Sequence, residues 1–290
     1  MSTEQPLSPL QQLLDRDGAS ADVLCVGDSV LGRVADEDVD RRPLGQMVAD
    51  ALAPRSSAWS WFVAYHVDSY LALVRAVLDA GWRPSTIVVP INVRGFSPQW
   101  FGNPAWDYSS HHAALRGFSG APVPVVEHEP SADELLAHRA RALGSPFLPG
   151  WTVGDAEDAR DDRDANRDDR WRTMFAFHLG VPIVPDHPRL TQLRELERIC
   201  SAADVELLVY VTPINVEGAR RHLGGALVDL IRANVRSLGP VLDLSELLPA
   251  TSFFYEADPT EHLNERGRRE LAATIAAQVT PAAGARRRRR

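Results

Sequence analysis

The stretch that decides the fold is Ala21-Asp-Val-Leu-Cys-Val-Gly-Asp-Ser29. Its apolar run is short, rich in valine and closed by Gly27, which favours a buried strand of a parallel sheet over a helix. Glycine permits a tight turn there, so the hydroxyl of Ser29 is expected to face the crevice beyond the carboxyl end of the strand. Gly-Asp-Ser is also common in ordinary turns and at helix N-termini. The stretch alone therefore allows both a functional and a structural serine.

Strand-like and helix-like segments alternate on either side of this stretch. Apolar residues at helical spacing predict helices over residues 44–52, 67–80, 189–203, 219–238 and 264–279. Val-rich or aromatic runs predict further strands over residues 58–65, 86–92, 205–214 and 241–244. This alternation predicts right-handed crossovers, a parallel sheet and a three-layer α/β/α sandwich. Ligands of such sheets bind beyond the carboxyl ends of the strands.

The interval 97–186 breaks this alternation. It is rich in proline, tryptophan and glycine, and its charge-dense part over residues 155–172 favours either a solvated helix or a mobile loop. Long loops inside a compact domain are typically lids or binding elements. We therefore expect one domain over residues 21–279, with a long insertion that caps the site. A polar segment precedes it over residues 1–20, and a disordered arginine-rich tail follows over residues 280–290.

Bulk composition argues against several classes of protein. A net charge of −8 over 290 residues disfavours nucleic-acid binding, which requires a basic surface. No apolar run is long enough for a membrane span, and the polar N-terminus lacks the apolar stretch of a secretion signal. These features favour a cytoplasmic protein. Cys25 and Cys200 lie in apolar runs, so we expect small buried hydrophobic residues and no disulfide.

A second polar cluster precedes the last predicted helix, in Glu256-Ala-Asp258-Pro-Thr-Glu-His262-Leu-Asn264. A carboxylate shortly before a histidine can orient the imidazole, whose other ring nitrogen can then take a proton from a serine. His262 could also be an ordinary loop histidine, because Asn264 has a structural role of its own as the expected N-cap of the helix.

Gly27-Asp28-Ser29 after the first strand, with Asp258 and His262-Leu-Asn264 before the last helix, resembles the first and last motif blocks of the SGNH (GDSL) hydrolases. The resemblance spans about residues 21–98 and 189–279. Members of this family are esterases, lipases, thioesterases, carbohydrate deacetylases or acyltransferases built on a flavodoxin-like sheet. The resemblance implies that Ser29 is the nucleophile, His262 the general base and Asp258 the residue that orients it.

The family's oxyanion hole combines the backbone N–H of the nucleophile with a glycine N–H and an asparagine side chain. Asn92 matches the asparagine by position, although Pro-Ile-Asn-Val stands where the family has Gly-x-Asn-Asp. No glycine follows the presumed second strand, so the second donor is unassigned, with Ala64 or a neighbour as the candidate.

The carboxylate partner of His262 also departs from the family pattern. Asp258 stands four residues before His262, whereas the family has three, so Pro259 occupies the expected place. Asp258 can still reach the imidazole if the loop bulges, and Glu256 and Glu261 are the substitutes.

Polar residues follow the third and fourth strands in similar contexts. The segment Thr212-Pro-Ile-Asn215 resembles Val89-Pro-Ile-Asn92. Both asparagines are expected on the rim of the crevice. We expect Asn92 to be the oxyanion donor, and Asn215 either to contact substrate or to be structural. Arg94 either holds an anionic group of the substrate or forms an exposed salt bridge.

With the resemblance, these residues predict a serine hydrolase that acts on an ester or thioester through an acyl-serine intermediate, as an esterase or acyltransferase. The expected partner is a small-molecule acyl ester or thioester. The alternative is a non-hydrolytic transferase or ligand-binding protein of the same fold in a biosynthetic pathway. No cofactor and no metal are expected, because the histidines lack ligand spacing and no glycine-rich phosphate loop is present.

Overall fold

The computed structural model describes residues 8–97, 100–101, 108–118, 146–147, 167–254 and 259–279. Within these ranges the strands are β1 (Val23–Gly27), β2 (Ser57–Trp61), β3 (Thr86–Ile91), β4 (Glu206–Val211) and β5 (Leu242–Asp243). The helices are α1 (Pro9–Asp15), α2 (Ser29–Gly32), α3 (Leu44–Leu52), α4 (Val67–Asp79), α5 (Ser109–Phe118), α6 (Arg167–Leu179), α7 (Pro188–Ala202), α8 (Val216–Ser237) and α9 (Glu265–Val279). Short 3₁₀ turns cover Gly18–Ser20, Val93–Phe96 and Ala250–Ser252.

The described strands form one parallel sheet in the order β2-β1-β3-β4-β5. This is the 2-1-3-4-5 order of doubly wound, flavodoxin-like sheets. The predicted α/β sandwich with a parallel, flavodoxin-like sheet is therefore confirmed. Winding reverses between β1 and β3, so a ligand crevice is expected beyond the carboxyl ends of these two strands.

Apolar side chains cover both faces of the sheet. Val23 and Cys25 of β1 belong to a core that includes residues of α3 and α9, whereas Leu24 and Val26 belong to a core that includes residues of α4 and α7. Burial on both faces explains why the strands are nearly continuous apolar runs in the sequence. Cys200 is buried in the α4 and α7 core, and both cysteines are free, as predicted.

β2 and β4 end three or more residues earlier than the sequence predicted. β2 stops at Trp61 because Ala64, which is buried, adopts a left-handed φ of 54° that cannot continue a strand. β4 stops at Val211, shortly before Pro213, which has no N–H to donate to a sheet ladder. α8 begins before its predicted start because Asn215 caps it.

The predicted insertion over residues 97–186 is described only in part. Residues 98–99, 102–107, 119–145 and 148–166 lie outside the described residues, as do residues 1–7 of the N-terminal segment and the tail over residues 280–290. Of the described parts, α5 contacts α4, and α6 contacts α8. The charge-dense stretch is helical from Arg167 onward. No helix in the described ranges is long and apolar enough to cross a membrane.

Candidate active site

Ser29 lies beyond the carboxyl end of β1, at the sheet edge where the crevice is expected. The strand ends at Gly27, and the carboxylate of Asp28 caps the next helix by accepting a hydrogen bond from the Val30 N–H at 2.8 Å. Ser29 is the first residue of that helix. The first N–H groups of a helix have no acceptor within it, so the helix leaves the Ser29 N–H available to a ligand.

His262 contacts the hydroxyl of Ser29. Its Nε2 atom lies 3.0 Å from Ser29 Oγ, and both residues are buried. The imidazole stacks on the ring of Phe254 with centroids 5.6 Å apart, and the Phe254 N–H donates to the His262 carbonyl oxygen at 2.9 Å. Asn264 caps the following helix by accepting from the Gly267 N–H at 3.2 Å. The fold thus joins two groups from opposite ends of the chain at the separation that a nucleophile and its base require.

Asn92 connects the ends of three adjacent strands. Its amide nitrogen donates to Oδ2 of Asp28, and its Oδ1 accepts from the hydroxyl of Thr212. Burial raises the pKa of Asp28, and the nearby positive charge of Arg94 opposes that rise. The sequence suggested no role for Asp28 or Thr212. Thr212 nevertheless begins the segment Thr212-Pro-Ile-Asn215, which resembles the segment that ends at Asn92.

Arg94 is buried beside Ser29. Its Nη2 lies 3.5 Å from Ser29 Oγ, and its Nε forms an ion pair with Oε2 of Glu261 at 2.9 Å. The guanidinium also lies over the ring of Trp100, 5.2 Å from the centroid. An exposed salt bridge is therefore wrong for Arg94, because its side chain and that of Glu261 are only 4% and 0% exposed. Glu261, a candidate partner of His262 from the sequence, carries this ion pair.

Asn215 holds the loop that precedes His262. Its Oδ1 accepts from the Gly218 N–H at 2.8 Å, which caps α8, and its Nδ2 donates to the Pro259 carbonyl at 3.0 Å. Its backbone N–H donates to the Thr260 carbonyl at 2.9 Å. The amide nitrogen and oxygen of Asn215 both bind backbone. These bonds support the structural role for Asn215 over contact with a substrate.

Three candidate positions from the sequence remain to be placed. Asp258 and Glu256 lie outside the described residues. Ala64 follows β2, where the family resemblance calls for a glycine, and its left-handed φ of 54° is the backbone conformation that glycine adopts most readily.

The chain contains a second contact between a serine and a histidine. Ser69 Oγ, on α4, lies 3.0 Å from Nε2 of His112 on α5. At this serine the backbone N–H is bonded to the carboxylate of Asp68 at 2.7 Å, and the same Oδ1 atom lies 3.4 Å from Ser69 Oγ. The Ser69 N–H, being bonded to this carboxylate, is not available to a developing oxyanion, whereas Ser29 has the Nη2 donor of Arg94 within 3.5 Å of its Oγ. The electrostatic surroundings therefore favour Ser29.

The other buried histidines near this edge contact aromatic rings. His178 lies 5.8 Å from the ring of Trp100, and His187 lies 4.9 Å from that of Phe96. Among the residues that the structure describes, no three or more His, Cys, Asp or Glu side chains are arranged to hold a metal ion.

Comparison with known proteins gives matches only among solved structures. No family model and no curated protein matches the chain. A GDSL-like lipase from Bacteroides thetaiotaomicron is 8% identical, with 93% of this chain and 97% of that chain covered and a TM-score of 0.39. An acetylxylan esterase from Geobacillus stearothermophilus is 10% identical, with 88% and 92% covered and a TM-score of 0.40. These values are too low to transfer an activity or a residue's role to this chain.

Proposed function

We propose that this protein is a serine hydrolase that cleaves a small-molecule acyl ester or thioester through an acyl-serine intermediate. The observation that carries the proposal is the 3.0 Å contact between His262 Nε2 and Ser29 Oγ at the carboxyl edge of the parallel sheet. A serine hydroxyl is a weak nucleophile until a neighbouring base takes its proton. With its hydrogen on Nδ1, the imidazole of His262 can serve as that base.

The reaction proceeds in two halves. His262 takes the Ser29 proton while Oγ bonds to the acyl carbon, and the carbonyl oxygen becomes the oxyanion. The bond to the leaving alcohol or thiol then breaks, and that group accepts the proton from His262. In the second half His262 takes a proton from water, which attacks the acyl-serine. A carboxylic acid leaves, and the proton returns to Ser29.

Three donors near Ser29 are suited to stabilise the oxyanion. They are the N–H of Ser29, the second amide hydrogen of Asn92, and the Nη2 group of Arg94 at 3.5 Å from Oγ. The N–H of Ala64 is the candidate for a fourth. Donors aimed at a developing oxyanion are worth roughly 3–4 kcal/mol each. We assign the orientation of the His262 ring to Asp258, on the family resemblance alone.

Labelling with a fluorophosphonate probe, read by peptide mass spectrometry, tests the proposal. We expect the probe to modify Ser29 and hydrolysis of a p-nitrophenyl ester to fall by about two orders of magnitude or more in Ser29→Ala. Ser69→Ala is the matched control, because Ser69 also lies 3.0 Å from a histidine nitrogen. This control should be labelled at the wild-type rate, and Asp258→Asn at least about tenfold more slowly.

Three outcomes would contradict the assignments. Modification of Ser69 in place of Ser29 would move the nucleophile to the second pair. The absence of any labelled serine would favour the non-hydrolytic transferase or ligand-binding alternative. A wild-type labelling rate in Asp258→Asn would remove that residue from the mechanism.

A further inference from the structure

Arg189, at the start of α7, is a buried cation with incomplete pairing. Its side chain donates from Nη2 to the Trp100 carbonyl at 3.1 Å and lies over the ring of Phe101, 5.3 Å from the centroid. Its Nε and Nη1 atoms have no hydrogen-bond partner, and no carboxylate in the described ranges lies within ion-pair distance. Burial lowers the pKa of Arg189 to about 10, so the side chain is still positive at neutral pH. An uncompensated buried charge is strongly unfavourable in a protein interior.

His66 lies on the same side of the sheet edge and is also buried. Its Nε2 atom has no hydrogen-bond partner. Burial lowers the pKa of His66 well below its usual value, and the charges of Arg189 and Arg94 lower it further. The ring is therefore neutral at physiological pH and can donate one N–H to a ligand. Asp68 exerts a favourable charge effect on Arg189, but its Oδ1 is already bonded to the Ser69 N–H at 2.7 Å.

Both side chains line a small cavity of about 10 Å³. Its lining includes Arg189, His66, Asn92, Gly95 and Phe96. A Cβ atom at Gly95 would come within 3.0 Å of His66 Nδ1 and 3.4 Å of Arg189 Nη1. The missing side chain at Gly95 thus helps to keep the space open. A cavity of this size accommodates about one water-sized sphere.

We propose that this cavity binds one halide-sized monovalent anion, with Arg189 and the neutral ring of His66 as its ligands. A water molecule of the same size would satisfy hydrogen bonds but would leave the arginine charge uncompensated. Space for about one water-sized sphere favours a monatomic anion over carboxylate and phosphate groups, which have several non-hydrogen atoms. The site does not depend on the proposed hydrolysis, although Asn92 borders both places.

Thermal unfolding in sodium chloride and in sodium gluconate at equal ionic strength tests the proposal. We expect chloride to raise the Tm of the wild-type protein by roughly 2–4 °C relative to gluconate at about ten times the chloride dissociation constant. Arg189→Met removes the cation and should abolish this difference. Gly95→Ala should abolish it too, because the methyl group fills the cavity without changing any charge. Equal Tm values of the wild type in the two salts would overturn the proposal.

Crystals soaked in sodium bromide provide a test that needs no variant to fold. Anomalous scattering should show a bromide ion between Arg189 Nη1 and His66, within about 3.5 Å of the guanidinium. Bromide peaks that occur only on the protein surface, with none beside Arg189, would contradict the site.

Discussion

The charge of Arg94 is balanced by Glu261, and this limits what the arginine can contribute. Their ion pair is 2.9 Å long and buried, so the net attraction of the pair for a distant substrate anion is small. The Nη2 group is nevertheless 3.5 Å from Ser29 Oγ, which places it close to where the carbonyl oxygen of a bound ester would become negatively charged. Arg94 is thus better placed as an oxyanion donor than as a receptor for an anionic part of the substrate.

Replacing Arg94 by lysine separates these two roles. We expect Arg94→Lys to lower kcat for a neutral p-nitrophenyl ester by about 10²- to 10³-fold with little change in KM, because lysine keeps the charge but loses the fork geometry. Arg75→Lys is the matched control, because Arg75 on α4 also forms an ion pair, with Glu195 at 2.5 Å. Its kcat should equal that of the wild type. An unchanged kcat in Arg94→Lys, with a higher KM for anionic esters alone, would instead support anion recognition.

Sequence alone predicted the pair Ser29 and His262 but not the buried environment of Arg94. Serine and histidine were predictable because each stands at a motif next to a regular element, and the sheet topology fixes where those elements end. The partnership of Arg94 with Glu261 depends on the path of two loops, and both residue types are ordinarily exposed on protein surfaces. Burial of such a pair is not encoded in any local pattern.

The elements themselves were predictable because the strands are buried on both faces and the helices on one. The residues at which the elements begin and end were less predictable, as β2 and α8 show. The turn after β2 depends on a left-handed alanine, Ala64, that no propensity rule places there. The start of α8 depends on Asn215. Its side-chain oxygen caps the helix, and its amide nitrogen binds the Pro259 carbonyl in the loop before His262. That second bond makes the helix terminus a support for His262.

Two variants of Asn215 distinguish the helix cap from the loop tether. Asn215→Ser keeps a neutral side-chain oxygen that can accept from the Gly218 N–H but lacks the amide group that donates to the Pro259 carbonyl. We expect it to lose little stability, while kcat falls by about tenfold or more because His262 is no longer held in register. Asn215→Ala should show the same fall in kcat and also lose about 1–2 kcal/mol of stability. Urea unfolding and steady-state kinetics measure the two effects.

Two other outcomes would give Asn215 a different role. A wild-type kcat in Asn215→Ser would show that the bond to Pro259 does not position the loop. A rise in KM without a fall in kcat would indicate that Asn215 contacts the substrate, the other role expected from the sequence.

At the scale of the described domain, one hydrophobic layer packs on each face of the sheet, and each layer contains one cysteine. Cys25 lies in the core with α3 and α9, and Cys200 lies in the core with α4 and α7. Burial raises the pKa of each thiol to about 12, so both are protonated at neutral pH and out of reach of reagents. Because the shared sheet contributes side chains to both layers, disruption of one layer removes contacts from the other.

Thiol labelling tests whether the two layers unfold together. We expect Ellman's reagent to react with neither cysteine in native buffer and with both in strong urea. Near the unfolding midpoint, Cys25→Ala and Cys200→Ala should each expose the remaining thiol at the same rate, because a cooperative domain opens as one unit. The variant lacking both cysteines is the blank. Faster labelling of Cys200 than of Cys25 would show that α7 separates from the sheet before the layer formed by α3 and α9 opens.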